Sequence, residues 1–332
     1  LFPMFCGRFH SIIRPSHHHN RKMNRTLIVG GGAMGTLIAS HLSENVATVN
    51  VLTKWKAHRD AIEDFGGVRI EKGKETSTYR NVGFVENVPE KKKKKYDTVF
   101  ILTKSSGTEH AANIARNMLS DDGLVVTLQN GIANEVLLCE IFGRRRVVAG
   151  VTSRGASVRT CGIIRDAGGG PTILRYPSYE DKKRTNEIAR VLSDSTFECK
   201  IASSDVDFAT IAWTKLCANA VINPLTAISN VRNGDIDWVK WDNVALSVLK
   251  ELREVADKHS KVRLPEESVL LDNVKTVARN TSTNRSSMLQ DIDRKVRTEI
   301  DYINGFVVKE SERFGLSAPT NQYLLEKINN LL

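Results

Sequence analysis

Three polar residues interrupt an apolar helical run. The segment "AWTKLCANAVINPLTAISN", Ala212 to Asn230, is rich in Leu, Ala, Val and Ile. Lys215, Asn219 and Asn223 nevertheless recur in it at i, i+4 and i+8. Residues four apart stack on one face of a helix. Asn is a poor helix former, and buried amides require partners. An ammonium only donates hydrogen bonds, whereas an amide both donates and accepts. Such a stripe either walls a ligand cleft or is solvated and bonded within the protein.

A second cluster lies near the start of the chain. "LIVGGGAMG" carries Gly30, Gly32 and Gly35 as G-x-G-x-x-G, after an apolar strand and at the opening of a helix. In that context the first Gly makes a tight turn and the second lets backbone approach a pyrophosphate. The third lets helix pack on strand, and the helix N-terminus holds the negative charge. An NAD site places Asp or Glu at the end of the second strand, about 20 residues on. Here that strand ends "VNVLTKWKAHR", with Lys54 and no acid, and Lys56 and Arg59 nearby. A cation there suits a 2′-phosphate, so the pattern points to NADP(H) with Lys54 as its main contact. The plain alternative is a strand-turn-helix with surface lysines.

Other candidates are scattered. Asn130 in "TLQNG" falls at the C-terminal end of a strand, where ligands bind in parallel sheets. "NRSSMLQDIDRKVRTEIDYINGF" carries Asn284, Ser286, Ser287 and Glu299. Ser286 also reads as a helix N-cap. Glu299, in the expected first turn of the next helix, also reads as a partner of its dipole.

Taken together, "GGGAMG", "LTK" at 102–104, "LQNG", "WTKL-x-x-N-x-x-x-NPLTA" and "SSMLQD…TEIDYINGF" resemble the ketopantoate reductase (2-dehydropantoate 2-reductase) family. The resemblance runs from about Thr26 to the C-terminus, in order and at family-like spacing. It implies NADPH-dependent reduction of ketopantoate to pantoate. It also implies a Rossmann domain followed by a helical domain like that of the phosphogluconate dehydrogenases, with the site between them. By motif position Lys215 corresponds to the general acid, and Asn130, Asn219, Asn223, Asn233 and Ser287 to substrate contacts, with Asn284 beside them. Glu299 corresponds to a glutamate that contacts ligand in the closed cleft. Gly30, Gly31, Gly32, Ala33, Met34, Gly35, Lys54, Lys104 and Ala156 fall on cofactor positions, and Asn130 and Glu299 border them. The sequence departs from the family at Lys54, often Arg, which keeps the charge but loses the bidentate fork. It departs again at "SSGTEH" after Lys104, where the family has an aromatic-containing run. Other readings of the same pattern are an NADP-linked reductase of a different 2-oxo or 3-hydroxy acid, and a non-catalytic NADP-sensing protein.

These residues require elements to hold them. From Arg25 apolar strands alternate with helices of 10–15 residues, the signature of a doubly wound parallel sheet. Shorter strand-like pieces and a turn cluster, "DAGGGP", follow between Gly155 and Ile201. Beyond Ser203 helical runs dominate: 205–230, 238–260, 265–279, 286–296, 298–314 and 319–331. The expected division is an extension over 1–24, an α/β cofactor domain over 25–202 and a helical domain over 203–332.

Composition sets outer bounds. The 332 residues are 41% hydrophobic and 26% charged, as in soluble globular proteins, and no apolar run approaches the roughly 20 residues of a membrane span. Of the net charge of +10, residues 1–25 supply five Lys or Arg and no acid. That tail and the Lys91–Lys95 run lack the aromatic interleaving of nucleic-acid binders, and the Lys run reads as a solvated loop. Five scattered Cys argue against a disulfide framework or thiolate metal site and for a reducing compartment. The expectations are a small 2-oxo acid substrate, no metal, no nucleic acid, no membrane, and a monomer or homodimer. The Arg-rich, acid-free N-terminus reads either as a mitochondrial transit peptide or as sequence ahead of a start at Met4 or Met23, with a cytoplasmic enzyme in the second case.

Overall fold

A computed structural model describes residues 25–87, 95–178, 181–193 and 197–332. Lys91–Lys94 and the 1–24 extension lie outside the described residues. Ten strands occur among those described: β1 Arg25–Val29, β2 Thr48–Leu52, β3 Val68–Lys72, β4 Glu75–Tyr79, β5 Val82–Val85, β6 Tyr96–Ile101, β7 Leu119–Thr127, β8 Val147–Thr160, β9 Ile163–Leu174 and β10 Cys199–Ile201. The helices are α1 Ala33–Leu42, α2 Lys56–Asp64, α3 Thr108–Met118, α4 Ala133–Phe142, α5 Lys182–Ser193, α6 Asp205–Ser229, α7 Trp238–Ser260, α8 Glu267–Asn280, α9 Ser287–Asp293, α10 Asn304–Arg313 and α11 Pro319–Asn329.

The sheet order is β4-β3-β9-β8-β7-β6-β1-β2-β5, with β10 on β9. From β5 to β8 every pairing is parallel. Chain order reverses at β1, which lies between β2 and β6. Side chains alternate across this sheet, and both faces are dry. Ile28, Phe100 and Val126 join one apolar cluster with Ile38 and Leu42 of α1. Leu27, Val99 and Val125 join another with Ala112 of α3 and Leu138 of α4. Period-2 alternation with helices over both faces explains why these strands read as continuous apolar runs.

The sheet is not purely parallel. β8 and β9 form a long antiparallel hairpin, and β3 pairs antiparallel with β4. "DAGGGP" is no turn between pieces; it lies inside β9. Gly168 and Gly169 there have φ of 68° and 126°, and the ladder shifts register opposite them. Glycine admits these angles, so the cluster builds bulges rather than ending the strand.

After β10 the chain is helical. α6 is 25 residues long, capped by Ser204, whose side chain accepts from the Asp207 N–H, and closed by Asn230 in the left-handed region. Pro224 sits inside it and removes the bond that the Ala220 carbonyl would otherwise receive. Asn304 repairs this by donating from Nδ2 to Ala220 O at 3.0 Å. Trp213, Leu216, Val221 and Leu225 of α6 pack with α7, α8, α10 and α11 in a single apolar cluster.

Two expected helices are shorter than their patterns. The run 286–296 becomes α9, preceded by Ser286 as N-cap and stopped where Lys295 takes φ 53°. The run 298–314 opens with a 3-10 turn at Ile300–Tyr302 and breaks at Ile303 (φ −108°, ψ −88°) before α10. Glu299 therefore precedes a 3-10 turn and is directed elsewhere than toward a helix dipole. No helix among the described residues is long and apolar enough to cross a membrane.

Candidate active site

Lys215 projects from α6 toward the sheet. Its Nζ donates to Thr152 O of β8 at 2.7 Å and to Asn130 Oδ1, just beyond β7, at 3.0 Å. Burial pushes its pKa down to about 8, against a smaller upward pull from the Glu299 charge. Asn130 is the bridge: its Nδ2 faces Glu299 Oε2 at 3.5 Å. Gly131 holds that turn at φ 83°, and a Cβ there would stand 2.7 Å from Tyr302 O. Side chains from α6, the β7 loop and the 299–302 turn thus meet in one place.

Glu299 is 8% exposed. Its Oε1 accepts from both Ser105 N (3.0 Å) and Ser105 Oγ (2.6 Å). Next to Ser105, Lys104 Nζ donates to Asp291 Oδ2 of α9 at 2.8 Å. Burial raises the Asp291 pKa, and the Lys104 ammonium partly reverses this. The loop after β6 therefore grips two carboxylates of the helical part. Lys104, a cofactor position by sequence, is here an ion-pair partner.

Asn219 lines a small pocket with Lys215, Asn130 and the apolar Ile132, Val151 and Phe208. Asn223, one turn on, is 7% exposed. Neither side-chain amide is hydrogen-bonded among the described residues, so both are available to a ligand on the Lys215 face. Thr226 Oγ1 donates to Ser286 Oγ at 2.7 Å, which sets the start of α9 against the same stretch of α6. Ser287, the first residue of α9, is exposed there, and Ser286 spends its oxygen on the cap to Leu289 N. Asn284 is exposed, and its carbonyl accepts from Asn233 N at 3.0 Å. Asn233 is buried and donates to Thr281 Oγ1 at 2.9 Å, while its Oδ1 has no partner among the described residues. Asn233 and Asn284 thus stitch two loops together.

The glycine loop packs against the chain that follows β6. Gly30 takes φ 114°, and a Cβ would lie 2.7 Å from Leu102 C and Thr103 N. A Cβ on Gly35 would lie 1.9 Å from Gly30 O, and one on Gly31 2.7 Å from Thr53 Cβ. Gly32 differs: a Cβ there would meet nothing within 4 Å. It is the exposed N-cap of α1, with no side-chain cap bond, ahead of Ala33 and Met34. Free N–H groups at an uncapped helix start, beside an open space, fit a diphosphate. Ala156 packs in the same apolar cluster as Ala33 and Met34. Lys54 is exposed past the end of β2, with no ion pair among the described residues. Arg59 is committed to Thr53 O and Glu86. Trp55, beside Lys54, stacks on His58 at 4.6 Å.

Sequence reasoning missed Ser105, Asn134, Thr152 and Asp291. Thr152 contributes only a carbonyl, and its side chain carries no signal. The other three sit in ordinary helix or loop contexts, and only the fold brings them to the site. Among the described residues no group of three His, Cys, Asp or Glu could hold a metal ion.

Comparison with known proteins follows the same outline. Residues 26–178 match a family model described as ketopantoate reductase PanE/ApbA, and 207–331 match its C-terminal counterpart. A 2-dehydropantoate 2-reductase of Archaeoglobus fulgidus is 32% identical over 93% of this chain and 98% of that protein. One of Pyrococcus horikoshii is 30% identical over 89% and 93%. Among solved structures, D-mandelate dehydrogenase with NADH and anilino(oxo)acetate superposes with a TM-score of 0.82 at 22% identity, covering 92% of this chain and 97% of that one. A PanE/ApbA family ketopantoate reductase from Ralstonia eutropha gives 0.79 at 24% identity, over 92% and 98%. At these identities the superpositions describe the fold.

Proposed function

The chain belongs to the ketopantoate reductase family, and from that premise we propose that it reduces 2-dehydropantoate to pantoate with NADPH, a step of pantothenate synthesis. The observation that carries the reading is Lys215: an ammonium with pKa near 8, facing a pocket and fixed by Asn130 and Thr152. We take 25–202 as the cofactor unit and 203–332 as the substrate unit.

Bound NADPH would supply the hydride. Gly30 to Gly35, with Ala33 and Met34, would hold its diphosphate, and Lys54 its 2′-phosphate. Lys104, Asn130, Ala156 and Glu299 would border the remainder. Lys215 donates a hydrogen bond to the keto oxygen as negative charge develops there, then a proton. An acid with pKa near the working pH is both charged and ready to release its proton. Asn219, Asn223 and Ser287 hold the substrate carboxylate with neutral donors, which leaves the Lys215 charge for the reacting oxygen. Glu299 accepts a hydrogen bond from the substrate hydroxyl.

A second reading, reduction of another 2-oxo acid that lacks the hydroxyl and is more apolar, draws on the apolar lining of Ile132, Val151 and Phe208. Loss of NADPH absorbance with ketopantoate and with 2-oxoisovalerate separates the two. We expect a higher kcat/KM for ketopantoate. The opposite order would retain the reaction class and discard this substrate.

A further inference from the structure

Glu299 is held by a hydrogen-bond chain with a fixed direction. Asn134 Nδ2 donates to the carbonyl of Asn130 at 2.8 Å, and a carbonyl can only accept. This fixes the orientation of the Asn134 amide. Its Nδ2 then donates to Ser105 Oγ (2.9 Å), and its Oδ1 accepts from Thr108 Oγ1 (2.7 Å). Gln129 is fixed in the same way, because its Nε2 donates to Thr103 O at 2.9 Å. Its Nε2 also donates to Thr108 Oγ1 at 2.8 Å. Thr108 Oγ1 must therefore spend its proton on Asn134, and Ser105 Oγ must spend its own on Glu299. Every link from Gln129 to Glu299 points toward the carboxylate. Thr108, Asn134 and Ser105 are 0%, 1% and 2% exposed, so water does not compete for these bonds.

We propose that Ser105 is a positioning residue for the reaction, acting through Glu299 with Asn134 and Thr108 behind it. The inference rests on the reading of Glu299 as a ligand-contacting carboxylate. Two donors from Ser105 saturate Oε1 and fix the plane of the carboxylate. Oε2 is left toward Asn130, which carries Lys215 on its other end. A carboxylate free to rotate would turn Oε2 away from substrate, and misplacement of that kind is costly in rate. Ser105 lies in the "SSGTEH" stretch where this sequence departs from the family pattern.

The test is a double-mutant cycle on the full-length enzyme: Ser105→Ala, Glu299→Gln and both together, with Thr108→Val as an isosteric break further back. Steady-state kinetics with ketopantoate, NADPH Kd and thermal midpoints are measured for each. Ser105→Ala keeps the backbone donor, and we expect it to lower kcat about tenfold, the scale of one hydrogen bond to a charged group. NADPH Kd should change less than about twofold, since the residue acts through Glu299. In the Glu299→Gln background the same substitution should cost less than about twofold, because the two act as one unit. Thr108→Val, which touches neither carboxylate, should lower kcat about threefold, and it carries the test if Ser105→Ala does not fold. Losses that multiply in the double variant, or wild-type kcat in Ser105→Ala beside an impaired Glu299→Gln, would overturn the inference alone. Wild-type turnover in Glu299→Gln would remove the role of Glu299 and the inference with it.

Discussion

The glycine loop and the Lys215 cluster are built differently. The glycine loop presents backbone: free N–H groups at the start of α1 and an open space over Gly32. The Lys215 cluster presents side chains from distant parts of the chain; Lys215, Asn130, Glu299 and Ser105 are linked by hydrogen bonds, and the amides of Asn219 and Asn223 are left free for a ligand. Lys215 and Asn130 are 85 residues apart, and Ser105 and Glu299 are 194 apart. A backbone site needs only a local turn and tolerates varied neighbours. A side-chain network needs every member, because a buried polar group left without its partner is costly. The glycine loop is therefore suited to binding a large common ligand, and the Lys215 cluster to setting the geometry of a small reacting one.

This contrast can be broken in either region, and the largest effect is expected at Lys215. Lys215→Ala should lower kcat by about 10² to 10⁴ with NADPH Kd little changed. The wild-type rate should fall as pH rises through about 8, where the ammonium is lost. Unaltered turnover in the variant would take Lys215 out of the mechanism. Next, Lys54→Asp should weaken NADPH binding by about 10- to 100-fold, the range of a hydrogen bond to a charged group. NADH binding should be spared, and a preserved NADPH/NADH ratio would refute the assignment.

The glycine loop gives a paired test. Gly35→Ala drives a Cβ into Gly30 O, and overpacking of this kind costs about 1–3 kcal/mol, read as a lower thermal midpoint together with lost NADPH binding. Gly32→Ala meets no neighbour and has an ordinary φ of −78°. It should keep wild-type stability and weaken NADPH alone, and a destabilised Gly32→Ala would show that the space has another use.

The smallest effect concerns neither region. His41 is 2% exposed, and neither ring nitrogen has a partner among the described residues. Burial, then the nearby Arg154 charge, lowers its pKa from 6.5 to about 4. The unfolded chain binds that proton first, so stability is fully present above pH 6.5 and falls as pH drops toward 4. The slope from one such group is at most about 1.4 kcal/mol per pH unit. His41→Phe should flatten this acid slope in urea titrations; an unchanged slope would assign it to other groups.

Much of the site was legible in the sequence where a single element makes it. Spacing placed Lys215, Asn219 and Asn223 on one face of one helix, and glycine positions located the loop at α1. The cap role of Ser286 was also legible, because a cap is a local bond. The misreadings arose where local pattern met long-range demand. "DAGGGP" has the composition of a turn, but the ladder with β8 carries it through as bulged strand. Glu299 reads as part of a helix start, but its bonds to Ser105 and the break at Ile303 hold it outside one.

The sequence alone determined the alternation of strands and helices, the glycine loop before α1, the cation in place of an acid after β2 and the polar stripe on α6. Each depends on residues within a few turns of one another, where propensity, periodicity and glycine conformation act. Only the tertiary structure decided that Asn130 joins Lys215 to Glu299, that Lys104 pairs with Asp291, and that Asn304 satisfies the carbonyl freed by Pro224. Those bonds join groups far apart in the chain. Their partners are chosen by packing, which leaves a buried polar atom one geometry in which it is satisfied.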